Sequence, residues 1–103
     1  MGHFFDGKAT LVVGTHTHIP TNDARVLKSG TAYQTDAGMC GDYDSVIGMN
    51  KENSLNRFLK KKSTKHFPAI GDATLSGVMV ECNIETSLAN NIQSYIYGNL
   101  FKN

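Results

Sequence analysis

Two histidines stand one residue apart in Gly14-Thr15-His16-Thr17-His18-Ile19-Pro20. Neutral imidazole is a ligand for Zn, Fe and Mn, so the pair could hold metal. In extended backbone we expect the two rings to point to opposite sides of the chain, so that each could serve one of two neighbouring ions, the loop running between them, rather than both chelating a single one. HxH pairs also occur in surface loops where the imidazoles are structural, so the pair alone leaves both roles open. A two-metal site needs a bridging carboxylate, and no close cluster in this chain supplies it. Asp23, Asp36, Asp42 and Asp44 are candidates on composition, although Asp near Gly ordinarily serves turns and caps. His3 and His66 have no partner at ligand spacing.

The elements around the pair place it at a strand end. Ala9-Thr10-Leu11-Val12-Val13-Gly14 is continuous, partly β-branched and bounded by Gly7 and Gly14, which predicts a buried strand. Functional residues in α/β proteins sit in the loops after such strands, and Gly14 lets the backbone pack closely there. Upstream, Phe4-Phe5 before Asp6-Gly7 looks like the tail of a helix. Arg25–Lys28 and Thr31–Thr35 flank Ser29-Gly30 as a short hairpin. Asp36 to Asp44 is a loop bearing Gly38 and Gly41. Asn50 is placed to cap a main helix over about 51–61, with Leu55, Phe58 and Leu59 on one face. Lys60, Lys61 and Lys62 close that helix, either as an anion-binding patch or as a solvated end suited to the dipole. Leu75 to Ile84 alternates, with Val78, Val80, Cys82 and Ile84 on one face. Cys82 is therefore expected to pack inside. A last strand spans Ile92 to Tyr97.

These elements make a strand-rich α/β chain with α+β character. With so little helix, one sheet face would stay partly uncovered. The length of 103 residues, 40% apolar and 18% charged, suits one soluble domain. A net charge of +1 gives no electrostatic case for nucleic acid or an anionic membrane. The start lacks a signal-peptide pattern, and no stretch has the apolar length of a membrane span. Cys40 and Cys82 are in no CxxC spacing and read as reduced thiols, so a cytoplasmic location is expected.

The segment Gly14-Thr15-His16-Thr17-His18-Ile19-Pro20-Thr21 resembles the histidine loop of metallophosphoesterases. The likeness extends through Asp6-Gly7-Lys8, the run from Gly30 to Met39, Asp44 to Met49, Arg57-Phe58-Leu59, and Leu75 to Glu81. Together they resemble the YmdB-like group of bacterial calcineurin-like phosphodiesterases. The resemblance implies an αββα sandwich with two divalent ions at the strand ends, Fe or Mn ahead of Zn. It implies hydrolysis of phosphodiesters, including 2′,3′-cyclic nucleotides, by water activated between the metals. It makes His16 and His18 metal ligands, one toward each ion.

The family's N-terminal half carries an Asp-bearing first strand, a bridging ligand, an Asn-His pair and a further His, and none of those motifs occurs here. Residues 1–103 are thus expected to form a single incomplete domain, the C-terminal portion of the enzyme, from a truncated or split reading frame. Such a fragment should be inactive alone and become active when a separate N-terminal half docks on the exposed sheet. The alternatives are a non-catalytic module that pairs with itself as a homo-oligomer or with a partner, or a gene remnant.

Overall fold

The structure, a computed structural model, describes residues 1–59 and 67–98. It opens on a single helical turn, α1 (Gly2–Phe5), and passes through a left-handed Gly7 into β1 (Leu11–Val13). The expected strand over 9–14 is thus confined to its three central apolar residues. Ala9 N–H still bonds back to the Phe5 carbonyl at 3.2 Å, which delays the strand start.

The hairpin expected about Ser29-Gly30 is present as β2 (Arg25–Val26) and β3 (Ala32–Gln34), paired antiparallel. Its turn needs φ of +105° at Gly30, a left-handed value that glycine adopts without a Cβ penalty. β1 pairs in parallel with β3, Leu11 opposite Ala32 and Val13 opposite Gln34, so the sheet order is β1-β3-β2. Thr31, fully buried, ties α1 to this sheet. Its hydroxyl accepts from Gly7 N–H at 2.8 Å and lies 2.6 Å from the Ala9 carbonyl oxygen. Asp6 accepts the N–H groups of Ser29 and Thr31 at 2.9 and 3.2 Å.

The main helix, α2 (Lys51–Phe58), starts where the sequence puts it. Asn50 Oδ1 accepts the Asn53 N–H at 2.9 Å, the N-cap bond that satisfies an otherwise orphaned donor. Leu59 N–H still reaches the Leu55 carbonyl at 2.9 Å. The expected end of the helix at 60 and 61, the Lys60–Lys62 patch and His66 lie outside the described residues. Leu55, Phe58 and Leu59, which their spacing places on one face of the helix, are all exposed.

β4 (Leu75–Cys82) and β5 (Ala89–Tyr97) form a long antiparallel hairpin, with a register irregularity between Glu81 and Cys82. Val80 opposes Ile92 on the face turned to the first sheet. There Ala32, Ala89 and Ile92 form the core, packed by Leu11, Ala24, Val78 and Val80. Two expectations fail at the far end of β4. Ile84 lies in the turn and is 96% exposed, and Cys82 is an exposed thiol rather than a packed one. The chain reverses at Asn83, whose Oδ1 accepts the N–H groups of Glu85 and Thr86 at 2.8 and 3.1 Å. That Asx turn ends the alternation two residues early.

Among the described residues the buried apolar set is small, comprising Leu27, Ala32, Ala89 and Ile92. Leu75, Met79, Tyr95 and Tyr97 on the hairpin remain exposed, as the shortage of helix predicted. No helix among the described residues is long and apolar enough to cross a membrane.

Candidate metal-ligand loop

The β1 strand hands the chain to the histidine loop at Gly14. Its N–H faces the Gln34 carbonyl at 3.4 Å, and its own carbonyl accepts from Ala37 N–H at 2.9 Å, which extends the β1–β3 pairing by one step. A Cβ at position 14 would run into the Thr35 carbonyl oxygen. The close backbone approach expected of this glycine is therefore real.

Beyond Gly14 the chain follows a series of bends rather than a strand. On an extended strand, residues two apart share a face, so strand geometry would not separate His16 from His18. What takes the pair out of that geometry is His18 itself, at φ of +67°. The left-handed residue reverses the backbone's hand immediately after Thr17, and His tolerates that region better than most side chains.

Thr17, between the histidines, is the anchored residue. Its N–H and its hydroxyl both donate to Asp36 Oδ2, at 2.6 and 2.7 Å. The other carboxylate oxygen accepts Gly38 N–H at 2.8 Å. Asp36 is 1% exposed. Burial pushes its pKa up, but the donors of Thr17 and Gly38 outweigh that and hold it below the ordinary carboxylate value. The Asp36 backbone is fixed in turn: its N–H donates to Thr21 Oγ1 at 2.9 Å, and its carbonyl accepts Gln34 Nε2 at 2.8 Å. The loop's rim carries Asp23, which accepts Thr21 Oγ1 at 2.6 Å, Thr35 N–H at 3.1 Å and the Thr35 hydroxyl. The Thr21 and Thr35 hydroxyls lower its pKa to about 2 against a smaller opposing effect of burial.

The two imidazoles differ. His16 is exposed, and no described residue hydrogen-bonds its ring. His18 is half-buried, and its Nδ1 lies 2.8 Å from the Ile47 carbonyl oxygen. A carbonyl can only accept, so Nδ1 carries the proton and a neutral ring leaves Nε2 with its lone pair. A second ring nitrogen bonded to a backbone carbonyl is the arrangement of metal-ligating histidines. His18 thus fits a metal through Nε2, and the exposed His16 ring is open to one.

All four aspartates are engaged, but the expected turn chemistry holds only for Asp36 and Asp42, each of which accepts the N–H two residues on. Asp36 and Asp23 hold the loop. Asp42 accepts the N–H groups of Asp44 and Gly71 at 2.8 and 3.0 Å, and Asp44 pairs with Lys51 at 2.9 Å. Among the described residues no three His, Cys, Asp or Glu side chains come together as a ligand set. A pocket of about 190 Å³ lies instead between α1 and the β2–β3 pair, lined in part by His3, Asp23, Arg25 and Tyr33. None of the residues from His16 to Pro20 lines it. Reading the sequence missed two contacts here: the clamp from Asp36 to Thr17, nineteen residues away, and the Ile47 carbonyl. The Asp36-x-Gly38 spacing does announce the local turn, but nothing local announces the reach to Thr17.

The YmdB-like protein family matches residues 1–95. A 2′,3′-cyclic-nucleotide 2′-phosphodiesterase of Bacillus subtilis (strain 168) is 44% identical over 93 residues, covering 90% of this chain and 35% of the relative. A putative phosphatase/phosphodiesterase of Mycoplasma pneumoniae is 45% identical over 84 residues, covering 80% of this chain and 30% of the relative. Among solved structures, a hypothetical protein from Thermus thermophilus superposes with a TM-score of 0.83 at 40% identity, over 94% of this chain and 38% of that one. A phosphatase from Mycoplasma pneumoniae gives a TM-score of 0.85 at 36% identity, over 94% and 35%. The chain spans about a third of the length of these relatives.

Proposed function

The chain belongs to the YmdB-like protein family, and from that premise we propose that it carries one limb of a two-metal phosphodiesterase site completed by polypeptide outside these 103 residues. The observation that carries this reading is the His18 ring, whose Nδ1 is committed to a backbone carbonyl at 2.8 Å, in a chain 44% identical to a named phosphodiesterase. The shares of 30–35% support the fragment reading, since most of each relative has no counterpart here.

His16 and His18 would each hold one divalent ion, with Fe or Mn ahead of Zn. When bound, such ions polarise a phosphoryl oxygen and activate water for in-line attack. This chain's own contribution is positional. Asp36 fixes the peptide between the two imidazoles, Gly14 sets the distance from the loop to the sheet, and the Ile47 carbonyl sets the tautomer of His18. The proposed substrates are phosphodiesters, with 2′,3′-cyclic nucleotides the leading class.

Two histidines do not supply the ligand count of two ions. Chain alone in Mn²⁺ or Fe²⁺ should therefore not hydrolyse bis-p-nitrophenyl phosphate. Adding a separately produced N-terminal two-thirds of the Bacillus subtilis relative should restore turnover that His16→Ala or His18→Ala abolishes. Turnover by the chain alone, or restored turnover indifferent to both substitutions, contradicts the reading. A second reading, a non-catalytic module that pairs with itself or a partner, draws on the exposed Leu75, Met79, Tyr95 and Tyr97. A discrete homo-oligomer whose size and stability ignore metal favours that one.

A further inference from the structure

Three described residues other than glycine have positive φ, and two of them meet in one hydrogen bond: His18 at +67° and Ile47 at +48°. Ile47 and Gly48 (φ +93°) are the central residues of a tight turn closed by Val46 N–H to the Met49 carbonyl at 3.0 Å and Met49 N–H to the Val46 carbonyl at 2.9 Å. Positive φ at both central positions is the type I′ geometry, which favours Asn-Gly. Ile-Gly meets that preference only at its second position. A β-branched residue in the left-handed region is strained and persists where its surroundings over-determine it.

The surroundings here do so. Gly48 N–H donates to Ser45 Oγ at 2.9 Å, and the Gly48 carbonyl accepts Ala69 N–H at 2.8 Å. Asn50 N–H donates to the Phe67 carbonyl at 3.0 Å, which pins the exit of the turn. Burial does not account for the choice, because the Ile47 side chain is 58% exposed. What the left-handed turn delivers is the Ile47 carbonyl, aimed at His18 Nδ1 at 2.8 Å across 29 residues of sequence.

We propose that the Val46–Met49 turn is a positioning element for the histidine loop, its Ile47 carbonyl holding His18 as the Nδ1–H tautomer so that Nε2 keeps its lone pair for a ligand. Free neutral imidazole favours the opposite, Nε2–H form, so the turn works against the intrinsic preference of the ring. The inference rests on the metal-ligand reading of His18, and its role is to pre-set that ligand before any ion arrives. Asp36 and the turn then act from two sides: one fixes the peptide at Thr17, the other the ring at residue 18.

The test is histidine tautomer assignment by ¹⁵N and ¹³C NMR on the full chain without metal, about two pH units above the ordinary imidazole value near 6.5. His18 should be predominantly Nδ1–H, while the solvent-exposed His16 ring should show the intrinsic Nε2–H preference. Ile47→Asn suits the turn better, so it should keep the His18 tautomer and raise the thermal midpoint by about 4 °C. Ile47→Pro forces φ near −65° and turns the carbonyl away. It should move the His18 tautomer ratio about three- to tenfold toward Nε2–H, the worth of one hydrogen bond. If that variant does not fold, Gly48→Val disrupts the same turn through its second position and should shift the ratio in the same direction. An Nε2–H His18 in the parent chain, or a ratio unchanged in a folded turn-breaking variant, overturns the inference. Zn²⁺ added to the assembly with the relative's N-terminal portion separates it from the wider reading. A perturbed His18 Nε2 signal supports both. An unperturbed one, with the Nδ1–H tautomer in place, removes the metal assignment and with it the purpose proposed for the turn.

Discussion

Replacing Asp36 by Ala removes the acceptor for three donors: Thr17 N–H at 2.6 Å, the Thr17 hydroxyl at 2.7 Å and Gly38 N–H at 2.8 Å. A hydrogen bond to a charged group contributes about 1.5–3 kcal/mol net. The three share one carboxylate, and two come from one residue, so they are coupled and do not add. We expect Asp36→Ala to cost about 3–5 kcal/mol, a large share of the roughly 5–15 kcal/mol that stabilises an ordinary domain. Asp36→Asn keeps the shape and one acceptor oxygen. With that oxygen toward Thr17, its NH₂ faces the Gly38 N–H, so a loss of about 2 kcal/mol is expected. Urea denaturation gives the stability, and amide exchange at Thr17 reports the loop locally. Both substitutions should raise Thr17 exchange more than that of Ala32 in the core. An Asp36→Ala chain within about 1 kcal/mol of the parent, with Thr17 exchange unchanged, would refute the clamp.

Gly14→Ala should cost about 1–3 kcal/mol and disturb the loop entry, because its Cβ meets the Thr35 carbonyl oxygen; a denaturation midpoint shift measures it. Gly38→Ala should cost more, since φ is +88° and the new Cβ would sit 2.8 Å from the Tyr43 hydroxyl oxygen and 2.9 Å from Pro20 Cδ. Thr31→Val leaves the Gly7 N–H without its 2.8 Å acceptor and should lose about 1–3 kcal/mol. Acid should unfold the chain through depressed carboxylates. Asp23 titrates at about 2 folded against 3.8 unfolded, and Asp36 also lies below 3.8. Their stabilisation is complete above about pH 4 and declines as pH falls from there toward 2, because only the unfolded state takes up protons in that window. Asp23→Asn should flatten that decline in a pH series of denaturation midpoints.

Local chemistry made much of this fold legible. The Ser29-Gly30 turn, the Asn50 cap and the alternation through Val78 and Val80 are each set within a few residues, and each is present. The errors came where local pattern met tertiary context. Ile84 continues the alternation of β4, but the Asn83 side chain claims the following N–H groups and turns the chain. Leu55, Phe58 and Leu59 have helical spacing, yet among the described residues nothing buries them. At the candidate site, HxH after a strand and a glycine was visible. The Asp36 clamp and the Ile47 carbonyl were not, because both act over 19 to 29 residues and one is a backbone atom with no side-chain signature. His18's left-handed backbone was equally hidden, and it is the feature that takes the pair out of strand geometry.

Diffraction at the Mn absorption edge, on crystals of this chain assembled with the N-terminal portion of a relative, tests the central claim most directly. The expected map shows two anomalous peaks, one against His16 and the other against Nε2 of His18. Both imidazoles on one peak, or no peak within bonding distance of either, would contradict the account.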